Sequence, residues 1–280
     1  MSHKTLFLQQ SYEDCTRQYM ELLEKQKMPL WDYVILTASN ESQAQSYRMQ
    51  IQYRLDHGML PKSIHYAVLP DPDGKRVGSG GATLNVLRYI HQDAGSFDDK
   101  RILVIHSGGD SKRVPQYSAC GKLFSPVPRL LPNGRRSTLF DEFMISMCGV
   151  AARIRAGMLV CSGDVLLLFN PLQIDFYGSG AAALSIKEPA EIGKNHGVYR
   201  VDEQGNVGGF LHKKTVDQLH ALQAADENGN VDIDTGAVIM DTDLLKALYK
   251  LVDTPEQFDA YVNENTRLSF YADFLYPLAS

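Results

Sequence analysis

The chain has 280 residues, 44% hydrophobic and 22% charged, long enough to bury a sizeable core in one large domain or two small ones. A net charge of −5 and a pI of about 5.9 leave no basic excess, which argues against nucleic acid as a partner. Apolar runs such as MLVCSGDVLLLF carry a charge and are too short for a bilayer, and no cationic stretch with an apolar core opens the chain, so neither a membrane span nor a secretory signal is read.

The pattern predicts an amphipathic helix over 11–28, then a strand in WDYVILTAS that turns at Ser39 and Asn40. A polar helix follows in ESQAQSYRMQIQYRLDHG, stopped by Gly58. IHYAVLPDP reads as a strand running into a Pro/Asp/Gly loop. VGSGGAT reads as a glycine loop before a helix in LNVLRYIHQ, and KRILVIHSGG as a strand plus turn. STLFDEFMISMCGVAARI reads as one helix with Ser137 or Thr138 at its cap. GMLVCSGDVLLLF gives a strand leading to Asp164. AAALSIKE, GVYRVDEQGNVGGFLHKK and DIDTGAVIMD give further strands, with a hairpin turn at Gln204–Asn206. DTDLLKALYKLV and TPEQFDAYV are late helices. Alternating strands and helices argue for an α/β fold with a mainly parallel sheet, whose ligands bind beyond the carboxyl ends of the strands. Four cysteines (Cys15, Cys120, Cys148, Cys161) are widely spaced with no CxxC pair, which suggests neither a disulfide framework nor a zinc site and points to a reduced, cytoplasmic chain.

Two glycine loops carry the candidate chemistry: GSGGAT (78–83) and SGGDSKR (107–113). Glycine lets backbone N–H groups close on an anion, and successive N–H groups form an anion nest. Neither loop is a Walker P-loop, and GxGxxG is absent, which argues against a Rossmann dehydrogenase. The second loop follows a strongly apolar strand, and Lys112, Arg113 and Lys122 arrive within fifteen residues. Arg offers a planar fork for phosphate oxygens and Lys a compact point charge, together suited to a polyphosphate. His106, at the strand end, can touch a nucleotide or serve as a hydrogen-bonded core histidine.

SGGDSKRVPQYSACGKLFSPVP resembles the signature of sugar-nucleotide pyrophosphorylases, with its Gly-Gly turn, its Arg and its Lys before a Pro-containing segment. Together with GSGGAT, SGDVLL, HGVYRVDEQGNV, GFLHKKT, DTGAVIM and RLSFYADFLYPLA, it resembles the fucose-1-phosphate guanylyltransferase family and the pyrophosphorylase half of bifunctional fucokinase/GDP-fucose pyrophosphorylases, from about residue 70 onward. The resemblance implies a Rossmann-like, glycosyltransferase-A-like three-layer sandwich with a mainly parallel mixed sheet. It implies one nucleotidyltransferase domain over 1–280, cut at its C-terminus from a longer protein that in bifunctional members carries a kinase domain. The implied substrates are a nucleoside triphosphate, GTP, and a sugar-1-phosphate, fucose-1-phosphate.

The implied roles fall on these positions. Gly80, Gly81, Ser107, Gly108, Gly109 and Ser111 would line the nucleotide, Arg113 would grip the triphosphate, and Lys122 would neutralise charge at the α-phosphate. Asp164 would hold Mg²⁺, a hard cation that takes oxygen ligands and keeps waters. His196, Lys213, Thr235 and Gly236 would meet the sugar phosphate, with Asp232 or Asp234 beside them. The alternative within the same resemblance is a catalytically weak domain that binds nucleotide or sugar phosphate inside a larger protein.

Overall fold

The computed structural model describes residues 2–25, 30–107, 121–174, 176 and 179–279. The elements run β1 (Tyr33–Ala38), β2 (His65–Pro70), β3 (Arg101–His106), β4 (Pro126–Leu130), β5 (Arg136–Thr138), β6 (Gly157–Ser162), β7 (Ala181–Pro189), β8 (Gly197–Val201), β9 (Val207–His212) and β10 (Asn230–Met240). Between and around them lie α1 (His3–Lys25), α2 (Glu41–Asp56), α3 (Gly78–Ala94), α4 (Leu139–Met147), α5 (Ala190–Gly193), α6 (Val216–Ala221), α7 (Thr242–Tyr249), α8 (Pro255–Tyr261) and α9 (Tyr276–Leu278), the last preceded by a turn of π-helix at Phe270–Leu275.

β2, β1, β3 and β6 pair in parallel, in that order, and β10 then runs antiparallel to β6. β10 is long. Its residues Ala237–Met240 pair with β6, while Asp232 and Ile233 pair with β8, and β7 follows its other edge throughout. β9 closes the hairpin with β8, whose turn has Gly205 at φ +85°.

Side-chain alternation sorts the strands into two cores. Val34, Leu36, Leu103, Ile105, Leu159 and Cys161 face one side and meet Tyr19, Leu22, Tyr47, Phe140 and Phe143 from α1, α2 and α4. Ile35, Ile102, Val104, Met158 and Val160 face the other and meet Leu84, Leu87, Ile90, Leu245 and Phe270 from α3, α7 and the C-terminal turn. This is the expected three-layer α/β sandwich with a mainly parallel mixed sheet. A smaller core under β8 and β10 gathers Val198, Leu219, Val231 and Ile233. Cys15, Cys148 and Cys161 are free and buried. Among the described residues, no helix is long and apolar enough to cross a membrane.

Three boundaries differ from the sequence reading. The stretch 137–154 is not one helix: Thr138 closes β5 and caps α4 through a capping box with Asp141, and α4 ends at Met147. A short 3₁₀ turn follows, with Gly149 so close to Pro171 that a Cβ there would come within 2.9 Å. GSGGAT is not a loop but the first turn and a half of α3. α1 begins at His3, well before the predicted start.

Candidate functional site

The parallel strands end together at Ala38, Pro70, His106 and Ser162, and the candidate residues cluster along this edge. Gly108, Gly109, Ser111 and Arg113 lie outside the described residues. The segment holding them begins at Ser107 and ends at Gly121, and both ends are fixed. Ser107 donates its N–H to Thr37 Oγ1 at 3.3 Å and its hydroxyl to Thr37 O at 2.7 Å. Both donors are thus engaged by β1. Ser107 anchors the loop entrance to β1.

Gly80 and Gly81 lie in the first turn of α3, against the chain near Leu268 and Val77. Gly80 gives its N–H to Leu268 O at 2.8 Å, and Phe270 N donates to Ser79 Oγ at 2.8 Å. A Cβ at Gly78 would sit 2.2 Å from Leu268 O, one at Gly80 2.8 Å from Leu268 Cβ, and one at Gly81 3.0 Å from Val77 Cβ. The glycines let α3 dock on the 267–270 backbone, and the Leu268 carbonyl takes one of the N–H groups at the helix N-terminus.

His106 has hydrogen-bond partners on both ring nitrogens. Thr83 Oγ1 donates to Ser79 O at 2.9 Å, so it accepts from His106 Nε2–H at 3.0 Å. Nδ1 then accepts from Thr37 Oγ1 at 3.4 Å. Burial pushes the imidazole pKa down to about 4. The neutral ring ties β1, β3 and α3 together.

Lys122 and Asp164 are brought into contact: Lys122 Nζ donates to Asp164 Oδ2 at 3.4 Å, and Ser162 Oγ donates to Asp164 Oδ1 at 2.8 Å. Asp164 is about half exposed and Lys122 a third, so both face solvent rather than core. Lys122 opens a 3₁₀ turn, Lys122–Phe124, whose Leu123 and Phe124 are buried. Arg54 holds this turn from α2. Its guanidinium stacks 5.1 Å from the Phe124 ring and binds Asp141 through two contacts of 2.7 and 3.0 Å, all of it buried.

Beyond Ser162 opens a cavity of about 1510 Å³, lined by Ser162, His196, His212, Asp234, Thr235, Gly236 and Tyr271, with Phe7, Leu166, Leu168 and Ile186 on its apolar side. His196, Thr235 and Gly236 therefore share one hollow. Gly236 adopts φ +74°, and a Cβ there would lie 3.0 Å from Ser162 Cβ and 3.1 Å from Tyr271 Oη. This bulge of β10 puts the cavity floor directly beside the strand end that carries Asp164. Thr235 gives its hydroxyl to Leu184 O at 2.6 Å. Lys213 is exposed, in the left-handed region at φ +48°, and its N–H reaches His196 O at 3.0 Å. It sits next to cavity-lining His212 rather than on the lining itself.

The sequence left Asp232 and Asp234 as alternatives, and their partners differ. Asp232 is buried and held by Ser185 at 2.9 Å and Lys187 at 3.2 Å. Asp234 lines the cavity. Its Oδ1 accepts from Tyr199 Oη at 2.9 Å and Gly236 N at 2.8 Å, while burial pushes its pKa up from the ordinary carboxylate value. Sequence reasoning gave no role to His212, Ser162 and Tyr271. Only their quoted motifs, FLHKKT, SGDVLL and RLSFYADFLYPLA, marked the neighbourhood. Among the described residues, no three His, Cys, Asp or Glu side chains gather as a metal cage.

The fucose pyrophosphorylase domain profile matches residues 94–280. The bifunctional fucokinase/GDP-fucose pyrophosphorylase of Arabidopsis thaliana is 31% identical over 76% of this chain and 23% of its own length. The fucose-1-phosphate guanylyltransferases of Mus musculus and Homo sapiens are each 30% identical, over 89% and 71% of this chain and 46% and 35% of their own lengths. The chain spans less than half the length of each of these relatives. With the domain match covering the sheet from β3 onward, the Lys122–Asp164 pair and the cavity, the chain belongs to the fucose pyrophosphorylase family.

Proposed function

We propose that this chain transfers a guanylyl group from GTP to fucose-1-phosphate, giving GDP-fucose and pyrophosphate. The observation that carries this reading is the juxtaposition of the Lys122–Asp164 pair, at the carboxyl ends of the parallel strands, with the large cavity that starts at Ser162. An edge carrying Lys122 and Asp164 and a hollow with ample room for a sugar phosphate share one border, as an enzyme joining a nucleotide to a sugar phosphate requires.

In the proposed reaction a phosphate oxygen of the sugar-1-phosphate attacks the α-phosphorus of the triphosphate. The new P–O bond forms as the α–β bridging P–O bond breaks, and pyrophosphate leaves with that electron pair. The nucleophile is already an anion, so no general base is needed. Catalysis rests on screening two anions and aligning them. Lys122 screens charge at the α-phosphate, Arg113 grips the triphosphate, and Gly108, Gly109 and Ser111 offer donors to it. His196, Lys213, Thr235 and Gly236 hold the sugar phosphate.

Mg²⁺ would sit on Asp164. One exposed carboxylate, rather than a closed cage, suits a hard cation that shares its remaining positions with phosphate oxygens and waters. When bound it would neutralise charge on the phosphates. We read 1–280 as one nucleotidyltransferase domain of a longer cytoplasmic protein. The name of the Arabidopsis thaliana relative supports a sugar kinase domain in that longer chain.

The test is pyrophosphate release across a panel of nucleoside triphosphates and sugar-1-phosphates. The expected outcome is highest kcat/KM with GTP and fucose-1-phosphate. Nucleotide-dependent thermal stabilisation without pyrophosphate from any pair would replace the enzyme with a binding domain.

A further inference from the structure

We propose that the first two turns of α1 belong to the substrate site, as a lid that closes over a sugar-1-phosphate in the cavity, hinged at Ser11 and latched by Lys4 on Glu188. The occupant rests on the reaction proposed above; the hinge and the latch do not. α1 lies outside the matched domain, 94–280, yet Lys4, Phe7 and Leu8 all line the cavity.

The helix divides at Ser11. From there onward its inner face is buried, through Ser11, Cys15, Tyr19 and Leu22. Lys4 and Leu8 continue that face by helical spacing, but no residue between His3 and Gln10 is buried. The tip therefore stands off the core, against the cavity. At the junction Ser11 turns its hydroxyl back onto Phe7 O at 2.8 Å, and Thr16 does the same to Tyr12 O at 2.9 Å. Such back-bonding weakens and bends a helix where it occurs.

Lys4 latches the tip. Its Nζ donates to Glu188 Oε1 at 2.8 Å, and Glu188, on β7, lines the same cavity. The first turn of α1 carries no acidic residue, so the carboxylate that a helix N-terminus favours comes from β7. Lys4 is 63% exposed, and so solvated a pair is worth little, which lets the latch open for a substrate to enter. Around the cavity Phe7, Leu166, Leu168 and Ile186 are each between 40 and 49% exposed. Closing the tip on an occupant would cover that apolar surface. A sugar ring offers C–H faces for Phe7 to cover and hydroxyls for the polar floor of His196, His212 and Asp234.

The test uses Lys4→Glu, Glu188→Lys, the two together, and Phe7→Ala. The readouts are the Kd for fucose-1-phosphate by calorimetry and hydrogen exchange along α1. Fucose-1-phosphate should slow exchange at residues 6–10 of the wild type and leave 15–25 unchanged. Lys4→Glu should speed exchange at 6–10 alone and raise Kd about 5-fold, the upper reach of an exposed ion pair. The charge-swapped double variant should return both towards wild type. Phe7→Ala should raise Kd about 10-fold, with KM for GTP unchanged. A tip whose exchange ignores bound fucose-1-phosphate, or a Kd that charge reversal leaves unchanged, would overturn the lid. Exchange that speeds along the whole of α1 in Lys4→Glu would make the pair part of the fold and overturn it too. No measurable binding of fucose-1-phosphate would remove the occupant, and the lid with it. Protection of the tip by fucose-1-phosphate in a chain that releases no pyrophosphate would keep the lid and remove the reaction.

Discussion

Acidifying the protein from pH 7 to pH 4 should remove about 3 kcal/mol of stability through His106 alone. The ring is bonded on both nitrogens as a neutral imidazole, donating to Thr83 and accepting from Thr37. A proton added at Nδ1 would turn that acceptor into a donor facing Thr37 Oγ1, whose hydroxyl hydrogen would have to turn away and which already accepts from Ser107 N–H. Burial adds the cost of placing a charge there, and the pKa falls from 6.5 to about 4. Between these values the unfolded chain binds more protons than the folded one, so stability rises with pH across the window. The contribution is complete above about pH 6.5 and lost as pH drops through 4. With the unfolded ring titrating at 6.5 and the folded ring at about 4, integrating the proton-binding difference from pH 7 to pH 4 gives about 3 kcal/mol.

The assay is urea unfolding of the wild type and His106→Gln at several pH values from 4 to 7.5. The amide keeps a donor and an acceptor but cannot take the proton. Carboxylate titrations are common to both proteins and cancel in the difference. Whatever the gap in unfolding free energy is at pH 7, it should shift by about 3 kcal/mol in favour of the variant by pH 4. A gap that stays constant over that range would refute the assignment of a neutral histidine bonded on both nitrogens.

Lys122→Ala should lower kcat by about 10²-fold or more, the scale of losing one preorganised charge-stabilising donor, with little change in Tm because the side chain is partly exposed. A folded variant of near-normal rate would remove Lys122 from the phosphate site. Asp164→Asn should move the Mg²⁺ dependence of pyrophosphate release to higher concentration, and an unchanged metal titration would remove Asp164. Gly78→Ala should destabilise the fold by about 2 kcal/mol or more, since φ is +78° and the new methyl would meet the Leu268 carbonyl at 2.2 Å; denaturant unfolding with an unchanged midpoint would contradict this.

The strands were legible because VILTA, RILVI and MLVC are apolar on both faces, as buried parallel strands must be. Lys122 and Asp164 were legible because each follows such a strand within a motif. The glycines misled in one respect. A run of four small residues reads as a turn when taken locally, but Gly78 and Gly80 answer to Leu268, nearly two hundred residues away. The hairpin of β4 and β5 was hidden by Pro126 and Pro128, which lower strand propensity yet are tolerated in a two-stranded ribbon. The π-turn at Phe270–Leu275 has no periodic signature, and Tyr271 stands near no glycine loop in sequence. What a local pattern cannot carry is which distant side chain completes a turn, and the scaffold of this site is made of such pairs.

The antiparallel placement of β10 explains why the two halves of the site meet at all. Had the next strand run parallel to β6, it would have ended level with Ser162, and the sheet would have offered only a rim for phosphates. Running the other way, β10 spends its last four residues on β6 and leaves Asn230–Gly236 overhanging the carboxyl edge. The overhang recruits β8 on one side and keeps β7 on the other, so the sheet continues past its own functional edge. The pairing shift between Asp234 and Ala237 falls where β10 passes from β8 to β6, and it turns Thr235 and Gly236 onto the cavity floor. Asp234, bonded to the Gly236 N–H, stiffens the step. Asp164 therefore stands at the end of one strand and the hollow opens beside it on the next, separated only by Ser162 and a glycine that cannot carry a side chain without closing the gap.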